Sequence, residues 1–156
     1  MQVYFVEDDK SISYIIEKTI KSAGFNVTGF DNGKDFLNAL ESDLPNLILL
    51  DVMLPDISGI ELLIRVRKFY KDIPVLMISA LTNEKDIVKA LDLGADDYIV
   101  KPFGVLELMS RINVHIRKLN LDSKLEIGQL LLDKETHKCF VSGNEIHLTI
   151  KEFDIL

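Results

Sequence analysis

The sequence predicts an α/β protein built on a five-stranded, doubly wound parallel sheet. Strand-like and helix-like patterns alternate strictly, five times over, between residues 3 and 119, as in sheets joined by right-handed helical crossovers. Leu47 to Leu50 are four consecutive apolar residues. A short run with no alternation reads as a strand buried on both faces. The predicted strands also end in polar residues, Glu7-Asp8-Asp9, Asp51, Ser79 and Lys101. The carboxyl edge of an open α/β sheet is where such folds place their ligand chemistry.

The elements follow in order. Val3–Val6 is a short apolar strand. Ile12, Ile15, Ile16 and Ile20 fall at helical spacing over residues 10–23, with Gly24 as a C-terminal stop. Asn26–Phe30 is a second strand, Asp31-Asn32-Gly33 a turn, and Phe36, Leu37 and Leu40 mark a helix that ends before Pro45. The central strand Leu47–Leu50 runs into Asp51, a turn at Leu54-Pro55-Asp56, and Gly59. Ile60, Leu63, Ile64 and Val66 make a third helix reaching about Tyr70. Pro74 precedes the strand Val75–Ile78. Asn83 is placed to cap a helix through Leu93, stopped by Gly94. Tyr98–Val100 is the fifth strand, and Val105–Leu119 closes the unit with apolar residues at 108, 109, 112, 116 and 119.

Residues 120–124, NLDSK, read as a polar linker. Beyond them the pattern changes to short strands, Leu125–Leu132, Lys138–Val141 and Glu145–Leu148, with a hairpin turn at Ser142-Gly143-Asn144. Thr149 to Glu152 then forms a capping box before Phe153 and Leu156.

Composition narrows the functional classes. With 18 basic and 25 acidic side chains and a net charge of −7, the surface is unsuited to nonspecific nucleic-acid binding. The single Cys139 excludes an internal disulfide framework and points to a reducing compartment. The acidic N-terminus is unlike a secretory signal, and no apolar run reaches the roughly 20 residues that span a bilayer. The expectation is a soluble, cytoplasmic protein with no membrane partner.

Asp8 and Asp51, with Glu7 and Asp9 adjacent, crowd carboxylates at one sheet edge. Like charges so close raise one another's pKa unless a cation sits between them. An all-oxygen site with few carboxylates suits Mg²⁺, which takes one or two of them beside a phosphate. The three histidines, at 115, 137 and 147, lie far along the chain and do not suggest zinc. Lys101 can neutralise Asp51 or pair with a phosphoryl group carried on it. A carboxylate can act as nucleophile and form an acyl phosphate. In-line phosphoryl transfer then needs little beyond positioning, Mg²⁺ and a cation. Asp51 as nucleophile, Asp8 and Asp51 as metal ligands, Lys101 as clamp and Ser79 as hydroxyl donor meet that need.

At this point residues 1–120 resemble the receiver domain of bacterial two-component response regulators, through VEDD at 6–9, LLDVMLPDISG at 49–59, SA at 79–80 and GADDYIVKPF at 94–103. The resemblance implies a flavodoxin-like strand order of 2-1-3-4-5. It makes Asp51 the phosphoacceptor, served by the phosphohistidine of a sensor histidine kinase. It gives Mg²⁺ to Asp8, Asp51 and the backbone carbonyl of Met53, with Glu7 in the outer acidic shell. Ser79 and Tyr98 become a switch pair, and Lys101-Pro102 a bond that is often cis. Residues 125–156 resemble the start of an OmpR/PhoB-type winged-helix effector, a partial antiparallel β-platform. Its recognition helix would come later, so specific DNA binding is expected only of a full-length protein.

The family's homodimers use the face made by the fourth helix, fifth strand and fifth helix. Here Lys89, Asp96, Asp97, Glu107, Arg111 and Lys118 stand at or near the matching positions, while Ile87 replaces the expected base. Asn46 and Ser58 replace acids common in the family and read as neutral. Met53 and Leu81 flank the expected approach of a hydrolytic water; neither can orient one, which implies a long-lived phosphoryl state. Two other readings stay open. One is a Mg²⁺-dependent phosphohydrolase using Asp51, although Met53 stands where such enzymes want a second acid. The other is an interaction module that is never phosphorylated.

Overall fold

The computed structural model describes residues 1–127, 130–133, 138–141 and 144–146, with backbone alone from residue 121 onward. It divides into two compact units, Met1–Arg111 and Ile112–Leu156. The first unit holds a parallel sheet of β1 (Gln2–Val6), β2 (Asn26–Phe30), β3 (Leu47–Asp51), β4 (Val75–Ser79) and β5 (Asp97–Val100), in the order β2-β1-β3-β4-β5. The flavodoxin-like order and the doubly wound class are as expected. Among the described residues, no helix is long and apolar enough to cross a membrane.

Every residue of β3 and β4 is buried, which explains why neither strand alternates in sequence. Tyr4, Val6, Ile48, Leu50, Val75 and Met77 face one side. There they share a core with Phe36 and Leu40 of α2 (Gly33–Ser42) and Leu62, Leu63 and Val66 of α3 (Gly59–Phe69). The intervening Val3, Phe5, Leu47, Leu49 and Leu76 are equally buried and, by strand alternation, point to the opposite face. A right-handed crossover puts α1 (Lys10–Ser22) there, with Ile16 and Ile20 fully buried.

Local signals set the boundaries. Asp9 caps α1, accepting from the Ser11 and Ile12 amides at 2.9 and 3.0 Å. Asn32, Ser58 and Asn83 cap α2, α3 and α4 (Glu84–Asp92) in the same way. Ser58 therefore has a local task where the family commonly has an acid. Asn46 likewise accepts the Gln2 amide at 2.8 Å. Gly24 and Gly94 take φ of 88° and 110°, the left-handed conformation that ends a helix most cheaply at glycine.

The structure corrects the expected linker. The fifth helix, α5, runs Val105–Ser123, and a strand begins directly at Lys124. Residues 120–123 contain no glycine or proline, and extending an existing helix costs far less than starting one. In the second unit β6 (Lys124–Ile127), β7 (Leu130–Asp133), β8 (Lys138–Val141) and β9 (Asn144–Ile146) pair antiparallel in sequence order. The single strand expected over 125–132 is thus two paired strands, with Ile127 opposite Leu130. The strand expected over Glu145–Leu148 overlaps the described β9, Asn144–Ile146, while residues 147 and 148 and the turn at 142–143 lie outside the described residues. The predicted capping box at 149–152 lies outside the described residues.

Gly59 is the tightest point of the fold beside Asp51. A Cβ there would lie 2.0 Å from the Asp51 carbonyl oxygen, a backbone atom that cannot move aside. Gly59→Ala is expected to destabilise the protein by about 3 kcal/mol, measured as a shift in urea midpoint at constant slope.

Candidate functional site

β1 is hydrogen-bonded to β2 on one side and β3 on the other. The chain therefore leaves β1 in one direction and crosses back to reach β3. A crevice opens outside the strands at such a reversal. Parallel register sets Val6 beside Leu50, Asp51 beside Ile78, and Ser79 beside Val100. Glu7 and Asp8 follow β1, Asp51 and Ser79 end β3 and β4, and Lys101 follows β5, all at the carboxyl edge.

Glu7, Asp8, Asp51 and Lys101 meet there. Glu7, Asp8 and Asp51 each offer a carboxylate oxygen, all within 4.8 Å of one another. Lys101 Nζ lies 2.8 Å from Glu7 Oε2 and donates to Asp51 Oδ2 at 3.0 Å. Glu7 Oε1 accepts from the Asp9 amide at 3.1 Å, and Asp51 Oδ1 from the Met53 amide at 3.1 Å. Glu7 and Asp51 are only 2% and 3% exposed, whereas Asp8 is open to solvent.

Glu7 is the most strongly perturbed acid of the cluster. Burial, partly offset by Lys101 and the Asp9 amide and reinforced by the Asp51 charge, pushes its carboxyl up to about 7. Its Oε2 touches Lys101 as an ion pair, yet it has no aligned hydrogen-bond donor among the described residues. Burial pulls the Lys101 ammonium down, but its bonds to Glu7 and Asp51 outweigh that and hold its pKa above the usual lysine range. One ammonium therefore serves two buried carboxylates, and a third acid stands beside them. A hard cation fits that all-oxygen donor set. Asp9 does not join the cluster, because its carboxylate is committed to capping α1.

Ser79 and Tyr98 meet through the main chain of Leu81. The fully buried Ser79 Oγ accepts the Leu81 amide at 3.0 Å, and the Tyr98 hydroxyl donates to the Leu81 carbonyl at 3.0 Å. Met53 holds Asp51 by its amide while its side chain stays 61% exposed. The Lys101-Pro102 bond is cis.

The charged residues predicted for an interface are partly engaged within the chain. Arg111 reaches both Asp97 oxygens at 2.9 and 3.2 Å and Glu107 at 3.2 Å. Asp96 instead accepts from Arg67 at 2.7 Å and from the Val75 amide at 2.8 Å. Arg67 also donates to the carbonyls of Gly94, Tyr70 and Ile73. No local sequence pattern marks that tie, since its partners lie up to 29 residues apart. Lys89 and Lys118 are exposed.

The chain is similar to known proteins along its length. The family model described as the response regulator receiver domain matches residues 3–113. The probable transcriptional regulatory protein SilR of Salmonella typhimurium is 38% identical over 159 aligned positions, covering all of this chain and 70% of that protein. The transcriptional regulatory protein CusR of Escherichia coli K12 is 36% identical with the same coverage. Among solved structures, response regulator DrrB, an OmpR/PhoB homologue from Thermotoga maritima, superposes with a TM-score of 0.69 at 32% identity. That match covers 99% of this chain and 69% of DrrB.

The raised Glu7 pKa has a definite linkage sign. Between pH 4.5 and about 7 the folded protein keeps a proton that the unfolded chain has lost, so stability falls as pH rises through that window. In the metal-free protein this loss is expected to be on the order of 2 kcal/mol and to be absent from Glu7→Gln. Urea unfolding of both proteins at pH 5 and pH 7.5 measures it.

Proposed function

The chain belongs to the response regulator receiver family, and from that premise we propose that it is a switch driven by phosphorylation of Asp51. The observation that carries this reading is the Lys101 ammonium bound to the buried Asp51 carboxylate, 3.0 Å away, beside two further acids. Asp51 attacks the phosphorus of a sensor kinase's phosphohistidine. A P–O bond forms, the P–N bond breaks, and its electron pair returns to the imidazole, which takes up a proton. Asp8, Asp51 and the Met53 carbonyl would hold Mg²⁺, with Glu7 behind them. When bound, the ion supplies positive charge that the phosphoryl oxygens require. Lys101 then pairs with the phosphoryl group, a charge-assisted contact.

The Ser79 hydroxyl is positioned to give up the Leu81 amide and donate to a phosphoryl oxygen. That exchange loosens Leu81 at its amide while Tyr98 still grips its carbonyl. The signal thereby passes toward α4, β5 and α5. On this reading that face forms the homodimer, with Lys89, Asp96, Asp97, Glu107, Arg111 and Lys118 setting its charge pattern. Exposed pairs contribute only about 0–1 kcal/mol each, so they select the partner more than they strengthen the contact. Residues 1–119 are then the receiver, and the antiparallel strands after it begin a winged-helix effector that binds DNA in the full-length regulator. The protein is a phosphoacceptor switch, not an enzyme acting on other substrates.

Intact mass after treatment with acetyl phosphate and Mg²⁺ tests the central step. One added phosphoryl group is expected on the wild type and none on Asp51→Ala. An unmodified wild type would favour a module that is never phosphorylated, and steady turnover of a phosphate ester would favour a hydrolase.

The lifetime of the phosphoryl group follows from Met53 and Leu81, whose side chains have no group to orient a water. Loss of phosphate in the presence of Mg²⁺ is expected over minutes to hours, and several-fold faster in the Met53→Asn, Leu81→Glu double variant. A wild-type half-life of seconds contradicts this account.

A further inference from the structure

The loop that follows Asp51, residues 52–58, is fastened at both ends. At its start the Met53 amide donates to Asp51 Oδ1 at 3.1 Å, and the Gly59 amide returns to the Val52 carbonyl at 2.8 Å. At its far end Asp56 reaches across to α2. Its Oδ1 accepts the Gly33 amide and its Oδ2 the Lys34 amide, both at 2.9 Å. These are the first two amides of α2, which have no partner within their own helix. The loop also lies close against the helix start. A Cβ on Gly33 would sit 3.2 Å from Ile57 Cβ and 3.1 Å from both Leu62 methyl carbons.

α2 already has a cap of its own. Asn32 accepts the Asp35 amide at 2.8 Å. A second cap supplied from 23 residues away does more than end a helix, because it ties the loop to a rigid element. Asp56 is exposed, yet the Gly33 amide, with those of Ile57 and Lys34, holds its carboxyl below the usual aspartate range. Charge-assisted bonds of this kind are stronger than neutral ones and favoured at a helix N-terminus.

We infer that Asp56 is a positioning residue for phosphoryl acceptance: by bridging the first two amides of α2 it holds loop 52–58 so that the Met53 main chain keeps its place beside the Asp51 carboxylate. This rests on the proposed roles of Asp51 as phosphoacceptor and of the Met53 carbonyl as metal ligand. Asp56 itself touches none of the reacting groups; it acts through the loop.

The experiment compares Asp56→Ala, Asp56→Asn and Asn32→Ala in the full 156-residue chain. Asn32→Ala weakens the same end of α2 without touching the loop, so it reports what helix capping alone contributes. Two readouts are taken, the Met53 amide resonance in metal-free protein and the Mg²⁺ dependence of phosphorylation by acetyl phosphate. In Asp56→Ala the Met53 amide proton is expected to move upfield as its bond to Asp51 loosens. The Mg²⁺ concentration for half-maximal rate is expected to rise about tenfold, the lower range for losing a residue that orients metal ligands. Asp56→Asn keeps one acceptor oxygen, falls between, and decides the matter should Asp56→Ala not fold. Asn32→Ala is expected to lower the melting temperature with neither change. The inference is overturned if Asp56→Ala keeps the wild-type resonance and Mg²⁺ dependence, or if Asn32→Ala reproduces both effects. A wild type that takes no phosphate overturns the phosphoacceptor reading instead, and the Met53 resonance then still decides whether Asp56 holds the loop.

Discussion

One ammonium between two buried carboxylates is the constraint on which this molecule turns. Removing an ion from water costs several kcal/mol even after relaxation, and Glu7 and Asp51 are both almost wholly removed. Lys101 compensates both at 2.8 and 3.0 Å, but a single positive charge cannot balance two negative ones. Burial, reinforced by the Asp51 charge and only partly offset by Lys101 and the Asp9 amide, raises the Glu7 pKa. A site left short of positive charge favours whatever brings more of it. The proposed divalent ion would do so.

The fold delivers that imbalance with little freedom for error. β1, β3 and β5 lie within a sheet whose register is fixed by parallel hydrogen bonding. A one-residue slip in any of them would turn its apolar residues to the wrong face. Because β3 and β4 are buried throughout, their polar ends can exist only at the rim, where the crevice opens. Rigid strands thus aim the acids and the lysine, while the Asp51–Gly59 segment, packed to the limit against its own backbone, shapes the space beside them.

Much of this was legible in the sequence. The strand–helix alternation, the glycine stops at 24 and 94, and the capping residue at 83 are local features. Local physics dictates them and the structure contains them. Asp8, Asp51 and Lys101 were legible because each follows an apolar run, so topology alone brings them to one edge. Ties between distant segments were not. Nothing around Asp56 signals Gly33, and nothing around Asp96 signals Arg67. Such pairs depend on how two loops happen to lie, which no spacing rule encodes. The pairing of Glu7 with Lys101 is of the same kind, a contact between residues 94 positions apart in the chain. Polar composition alone does not make residues 120–123 a break, since they contain nothing that opposes a helix and α5 runs through them.

Magnitudes limit how the proposed switch can work. At rest Leu81 is held at its amide by Ser79 and at its carbonyl by Tyr98. Trading the Ser79–amide bond for one to a phosphoryl oxygen exchanges a neutral hydrogen bond for a charged one, a gain of roughly 1–2 kcal/mol. Inverting a two-state population from 1:99 to 99:1 needs about 5.5 kcal/mol. The hydroxyl alone therefore shifts the equilibrium without completing it. The remainder must come from terms that phosphorylation also changes, and two are in reach. Lys101 can leave Glu7 for a more highly charged partner, and a second protomer can stabilise the altered α4–β5–α5 face by mass action. On this arithmetic the proposed switch would be a biased equilibrium in the isolated receiver, and the proposed dimer would complete the response.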